Sequence, residues 1–144
     1  MSYKDLTDYE VVVIEGFGLG EHVQEIIEAS SDGTFILVIE QSIEFFKEIS
    51  NYIDLKPFLM ERVSLSVNEP PFQATRKRLE EYFGVYTIKD IKVFRNPASI
   101  ELEPKYYEEI DRQLEELSEV AKQNQATLKK FSGIWQRHIL SNLK

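Results

Sequence analysis

The sequence predicts an α/β fold: a small Rossmann-like, three-layer parallel sheet of about four strands, followed by a C-terminal helical hairpin. Two apolar runs support this. The run from Val11 to Ile14 consists of four consecutive β-branched residues, which is typical of a strand buried on both faces. The run from Phe35 to Glu40 is similar and ends on an acid. A helical pattern separates them, and the order strand, helix, strand favours parallel pairing.

Periodicity and capping residues place the remaining elements of the sheet domain. Apolar residues at helical spacing, Val23, Ile26 and Ile27, predict a helix over 19–30 that stops at Gly33. Ser42 is a good N-cap for a second helix over 43–52. The pattern then predicts a strand over 63–67, a helix over 72–83 that ends at Gly84, and a short strand over 91–94.

The composition changes after Pro97, so we expect a Rossmann-like N-terminal domain over 1–97 and a helical hairpin over 98–144. Apolar stripes predict one helix over 104–124 and a second over 127–143. The second stripe still continues at Leu143, and the sequence ends at Lys144. We therefore expect the hairpin to connect to a further, central domain of a longer protein.

Composition excludes several classes of function. The chain has 144 residues, 25 acidic against 17 basic, and a formal net charge of -8, which disfavours nucleic acid and anionic membranes as partners. It has no cysteine and two histidines, so a thiolate or catalytic zinc site is not expected. With neither a membrane-spanning run nor a signal peptide in the sequence, we expect a cytoplasmic protein.

The candidate ligand site is the turn after the first strand. Gly16, Gly18 and Gly20 alternate there, and such glycines let the backbone approach a ligand closely. Glu40 ends the next strand near the spacing at which an acid meets a ribose, so a nucleoside-type ligand is expected. His22 lies in the first helical turn and could touch it. The alternative is that the glycines serve only tight packing of the strand against the helix.

A second candidate surface lies on the last helix. Trp135, His138 and Asn142 are three and four positions apart and share one helix face. This face is either a polar patch that contacts another domain or the surroundings of a core tryptophan. The acidic residues between 108 and 119 are interpreted as a solvated helix face. No catalytic residue, metal site or required cofactor is predicted.

The order of the motifs resembles the N-terminal region of the motility-associated factor family of flagellin glycosyltransferases. The resemblance begins with the segment from Glu15 to His22 and continues with Val38-Ile39-Glu40, Ile43-Glu44-Phe45-Phe46 and Ile53-Asp54-Leu55. It extends to Tyr106-Tyr107, Thr127, Phe131, Trp135 and the segment from Ile139 to Leu143. His138 departs from the family pattern, in which an asparagine is expected.

The resemblance implies a bacterial protein that transfers nonulosonic acids of the pseudaminic or legionaminic type from a CMP donor to serine and threonine of flagellin. In that family the transferase centre lies in the central domain, so this chain is expected to be a non-catalytic or ligand-sensing module. The implied partners are the central domain of the same protein and flagellin, and a homo-oligomer is also compatible.

Two other functions fit the residues alone. The glycine turn and Glu40 would suit a small S-adenosylmethionine-dependent methyltransferase, although such enzymes usually need more strands than the sequence offers. A purely structural interaction domain, in which the glycines only pack, is the second alternative.

Overall fold

The structure is a computed structural model that describes residues 6–83, 88 and 90–142, with side chains placed as far as residue 123. The strands are β1 (Val11–Glu15), β2 (Phe35–Glu40), β3 (Val63–Val67) and β4 (Ile91–Arg95). The helices are α1 (Glu21–Ala29), α2 (Ile43–Ser50), α3 (Arg78–Phe83), α4 (Pro97–Leu102) and α5 (Pro104–Asn142). A 3-10 turn (Lys56–Phe58) follows α2, and a π-helical turn (Gln73–Lys77) leads into α3.

The four strands form one sheet in the order β3-β2-β1-β4, and each neighbouring pair is parallel. Val11 lies opposite Phe35 on one side and opposite Ile91 on the other, so β1 is a central strand. The predicted α/β fold with a parallel sheet is therefore confirmed.

Helices cover both faces of the sheet. On one face Val12 and Ile14 pack with Val23 and Ile26 of α1, and partly buried apolar residues of α2 join the same cluster. On the other face Val11 and Val13 pack with residues of α3 and α5. Every residue of β1 and β2 is buried, which explains why both strands are nearly continuous apolar runs.

The chain changes direction across the sheet after β3. It moves outward from β1 through β2 to β3, and β4 then returns to the opposite side of β1. In open parallel sheets, ligands bind outside the carboxyl ends of the strands at such a switch point. The glycine turn directly follows β1 and therefore lies at this point of the fold.

The predicted helical hairpin is replaced by one helix. The backbone is helical without interruption from Pro104 to Asn142, so α5 runs through the expected turn near residues 125 and 126. The segment Gln123-Asn124-Gln125-Ala126 is polar but contains neither glycine nor proline, and polarity alone does not end a helix. Gly84, the expected end of the helix before β4, lies outside the described residues.

Helix α4 was not predicted. Its N-cap is Asn96, whose side-chain oxygen accepts a hydrogen bond of 3.2 Å from the Ala98 amide. Pro97 occupies the first helical position, where its missing N–H and fixed φ suit a helix. The Asn-Pro pair marks the start of a helix that the sequence analysis treated only as a change of composition.

The first half of α5 belongs to the same core as the sheet. Tyr107, Ile110 and Leu117 are almost fully buried against the face that carries Val11 and Val13. The sheet is therefore covered on this side by residues beyond the expected domain boundary at residue 97. None of the helices in the described part of the chain is both long and apolar enough to cross a bilayer.

Because Leu117 is fully buried in this shared core, we expect Leu117→Ala to lower the free energy of unfolding of the whole sheet by about 2 to 5 kcal/mol. The measurement is urea denaturation followed by circular dichroism and by the amide resonances of β1 and β2. Glu108→Ala, at an exposed position of the same helix, is the control and should change little. An unchanged sheet transition in Leu117→Ala would show that α5 is not part of the core.

Candidate functional site

A crevice of about 220 Å³ lies at the carboxyl ends of β1, β2 and β4, and we call it the switch-point crevice. Its walls come from the glycine turn, the start of α2, helix α4 and the start of α5. The lining residues are Gly18, Leu19, Glu40, Gln41, Ser42, Phe45, Asn96, Ala98, Ser99, Leu102, Glu103 and Tyr107. A concave site with mainly apolar walls and a few polar groups is the usual form of a small-molecule site.

The three glycines of the turn all have positive φ angles, 98° at Gly16, 58° at Gly18 and 86° at Gly20. The turn is also in close contact with α4. A Cβ atom at Gly18 would lie 2.5 Å from Nδ2 of Asn96, and one at Gly16 would collide with the side chain of Ser99. The glycines are therefore required both by backbone conformation and by the approach of α4.

The amides of the turn are largely used inside the protein. The Gly16 N–H donates to the Ile39 carbonyl at 2.8 Å, and the Gly20 N–H donates to the Phe17 carbonyl at 3.1 Å. The Phe17 N–H donates to Oε1 of Glu40 at 3.1 Å. An anion-binding turn needs several amides that point at the ligand, and these three are already engaged.

Glu40 holds the turn and the start of α2 together. Its Oε1 accepts from the Phe17 amide, and its Oε2 accepts from the Ser42 amide at 2.9 Å. The side chain is 3% exposed. Glu40 therefore lines the crevice, and each of its oxygens already accepts one backbone hydrogen bond.

His22, in the first turn of α1, contacts the backbone of the glycine turn. Its Nε2 lies 3.0 Å from the Gly16 carbonyl oxygen, and the ring is half-buried. Of the predicted ligand-binding residues, the structure brings Gly18 and Glu40 to the crevice wall. Gly16 and Gly20 lie in the same turn outside the wall, and His22 supports the turn from behind.

The predicted interaction face of Trp135, His138 and Asn142 lies on the last part of α5. The backbone there is helical, so the three positions do share one helix face. Their side chains lie outside the described residues. The acidic groups of the described chain do not assemble with histidine into a metal-binding cluster.

A second polar cluster, formed by Glu15, Arg95 and Asp111, was missed by the sequence analysis. Glu15 ends β1 and is 0% exposed, on the sheet face covered by α5. Its Oε1 lies 3.6 Å from Nε of Arg95, and Arg95 also contacts Oδ1 of Asp111 at 3.1 Å. Neither oxygen of Glu15 has a hydrogen-bond donor among the described residues.

Burial, together with the adjacent carboxyl group of Asp111, raises the pKa of Glu15 to about 9, and the positive charge of Arg95 partly opposes this shift. This environment favours the protonated, neutral form of Glu15 at pH 7. A cleft of about 340 Å³ between β4 and α5 opens beside Arg95 and Asp111.

Tyr107 stands between the crevice and this cluster. Its hydroxyl accepts a hydrogen bond of 3.2 Å from the Gln41 amide, and its ring lines the crevice. Burial raises the pKa of Tyr107, and the negative charge of Glu40 acts in the same direction. The phenol therefore stays protonated and serves as a wall of the site.

Gly18→Ala tests the conformational demand of the turn. Gly18 has a left-handed backbone conformation, and a Cβ atom there would collide with Nδ2 of Asn96. We therefore expect Gly18→Ala to lower the free energy of unfolding by about 1 to 3 kcal/mol. The control is Gly33→Ala, at an exposed turn where a Cβ would make only an ordinary contact of 3.8 Å with Oγ of Ser31, and it should be neutral or slightly stabilising. Equal effects of the two substitutions in urea denaturation would refute this account of the turn.

Glu15→Gln tests the buried acid. The folded-state pKa lies above that of the unfolded chain. The wild type is therefore expected to lose stability as the pH rises from about 5 to about 9, since only the unfolded chain releases the proton. Glutamine carries no such proton, so the variant should be the more stable protein at pH 7, by on the order of 1 to 3 kcal/mol.

The measurement is urea denaturation of both proteins across this pH range, with the exposed Glu25→Gln as the control. At about pH 3.5, one unit below the ordinary glutamate pKa of 4.5, Glu15 is mostly protonated in both states, so the wild type and Glu15→Gln should converge. Parallel pH profiles of the two proteins would mean that Glu15 is ionised in the fold.

The chain was also compared with known proteins. No family model matches it, and neither a curated protein nor a solved structure matches it. Function is therefore inferred from the geometry of the site and from the order of the sequence motifs.

Proposed function

We propose that this chain is a non-catalytic, ligand-sensing module of a flagellin glycosyltransferase of the motility-associated factor family. The observation that supports the sensing role is the switch-point crevice, whose apolar walls and few polar groups meet at the carboxyl ends of three parallel strands. The assignment to the family is supported by the order of the sequence motifs, from the glycine turn to Trp135.

The polar groups of the crevice favour binding over catalysis. Ser42 accepts a hydrogen bond from the Phe45 amide and caps α2, and both oxygens of Glu40 hold backbone amides. Tyr107 is kept protonated by burial. Side chains that already accept backbone hydrogen bonds are held in fixed positions and can orient a ligand. Catalysis by a nucleophile would also require a free base next to it. In the proposed protein, transfer of the sugar takes place in the central domain.

The partners of the module follow from the same proposal. One partner is the central glycosyltransferase domain of the full-length protein, which α5 would connect to this module. The other partner is flagellin. The face of Trp135, His138 and Asn142 is the proposed contact on that helix. The methyltransferase alternative gains no support from the turn, because three of its amides donate within the protein and α4 packs against Gly16 and Gly18.

A structural interaction domain is the second candidate, and a specific observation favours it. Large apolar side chains are exposed near the glycine turn and after α2, among them Leu19 at 60%, Tyr52 at 80% and Leu59 at 76%. Leu19 and Tyr52 line one groove together with Phe58, and a contiguous exposed apolar patch is typical of a protein contact. In that function the crevice would be part of a docking surface and would show no response to small molecules.

Ala98→Phe is the test of ligand sensing. Ala98 lines the crevice, so a phenyl ring there fills it. We expect small molecules that shift the amide resonances of the wild-type crevice in a fragment screen to lose binding to this variant by about ten-fold or more. Glu101→Phe adds the same ring to an exposed position of α4 outside the crevice lining and should retain binding.

Leu102→Trp, at the mouth of the crevice, repeats the test if Ala98→Phe does not fold. A screen that yields no crevice ligand for the wild type would favour the interaction domain.

The family assignment is tested separately: deletion of the region that encodes these residues should lower the mass of flagellin by its attached nonulosonic acids. An unchanged flagellin mass would overturn that assignment.

A further inference from the structure

The charge of the switch-point crevice restricts what it can bind. Its lining includes two acids, Glu40 and Glu103, and the described lining residues include no lysine, arginine or histidine. The whole chain carries a formal net charge of -8, which adds a repulsive field for anions at longer range. A phosphate placed in this crevice would meet like charges and no counter-charge.

The backbone of the turn does not compensate for these acids. A phosphate site on a glycine turn needs free amides, and the amides of Gly16, Phe17 and Gly20 donate within the protein. A Cβ atom at Gly18 would lie 2.5 Å from Nδ2 of Asn96, so the start of α4 packs closely against one side of the turn and restricts the approach of a phosphate there.

The remaining surface suits a flat, mainly apolar group. Leu19, Phe45 and Leu102 supply apolar walls, and Tyr107 supplies an aromatic ring. Leu19 is 60% and Leu102 74% exposed, so a ligand would cover apolar surface that is now in contact with water. The volume of about 220 Å³ is below the range of about 300 to 1,000 Å³ of drug-sized pockets. It suits a group of about the size of a nucleobase or nucleoside.

The acids define the polar part of the ligand. Each oxygen of Glu40 accepts one backbone hydrogen bond and retains a second lone pair, and Glu103 is exposed at the rim. Both are acceptors, so they are satisfied by amino or hydroxyl groups of a ligand. We infer that the switch-point crevice binds an uncharged aromatic ligand with hydrogen-bond donors, such as a free nucleoside, and rejects the phosphorylated form of the same molecule.

This inference rests on the proposed ligand-sensing function and narrows it. In a glycosyltransferase that uses a nucleotide-activated sugar, the module would respond to a dephosphorylated nucleoside and not to the donor itself. Selection against the phosphate comes from Glu40 and Glu103, since a like charge at contact distance from a carboxylate is enough for a difference of about ten-fold or more.

The experiment is a titration of the full chain, labelled with ¹⁵N, with adenosine and cytidine and in parallel with AMP and CMP. The nucleosides should shift the amide resonances of Gly18, Leu19, Ser42 and Ala98, and each monophosphate should bind about ten-fold or more weakly than its nucleoside. Glu103→Lys replaces an acid of the rim by a base and should reduce or reverse this preference. Glu101→Lys, on the exposed surface of α4 outside the crevice lining, is the matched control and should retain it.

Monophosphates that bind as well as the nucleosides would overturn the inference and leave the sensing function in place. Nucleosides that produce no shift at millimolar concentration would also overturn it. In that case the fragment screen with Ala98→Phe decides separately whether the crevice binds any small molecule. A preference that is equal in Glu103→Lys and Glu101→Lys would contradict the role assigned to Glu103.

Discussion

The carboxylate of Glu40 is the contact on which the candidate site depends. It lies at the end of β2 and accepts one backbone hydrogen bond from the glycine turn and one from the start of α2. Because it is almost fully buried, loss of these bonds would leave two amides and a charge without partners. One side chain thus fixes the positions of three neighbouring segments around the switch-point crevice.

The hydrogen bonds of Glu40 also change how the glycine turn and the acid at the end of the second strand are interpreted. An acid at the end of the second strand is expected to face a ribose, and here its first task is to hold the protein backbone. Gly16 and Gly18 likewise allow the close approach of α4 through Ser99 and Asn96. The fold has the parallel α/β sheet of a Rossmann-like domain, but three amides of its glycine turn donate within the protein.

The sheet could be predicted because strands buried on both faces are encoded locally. The run from Val11 to Ile14 and the segments 35–40 and 63–67 became strands with those bounds or within one residue of them. Helix α4 and the continuity of α5 could not be obtained in the same way. The first begins at a short Asn-Pro signal, and the second depends on the absence of a helix-breaking residue between 123 and 127.

The candidate site was only partly predictable. The glycines and Glu40 have a recognisable spacing, whereas Glu15, Arg95 and Asp111 come from two strands and a helix that are distant in sequence. Asp111 also lies within an acidic run that is typical of a solvated surface. Only the position of α5 against β1 and β4 shows that one of these acids faces a buried partner.

Helix α5 has a mechanical consequence. Its 39 residues, at a rise of about 1.5 Å each, form a rod of about 58 Å. Tyr107 in its first turn is a wall of the crevice, and the far end carries the stripe with Trp135. Because its first half packs in the sheet core, a small rotation of α5 in this core would displace the distal end further than it displaces Tyr107. In the proposed sensing function, a ligand in the crevice would change the position of that distal end.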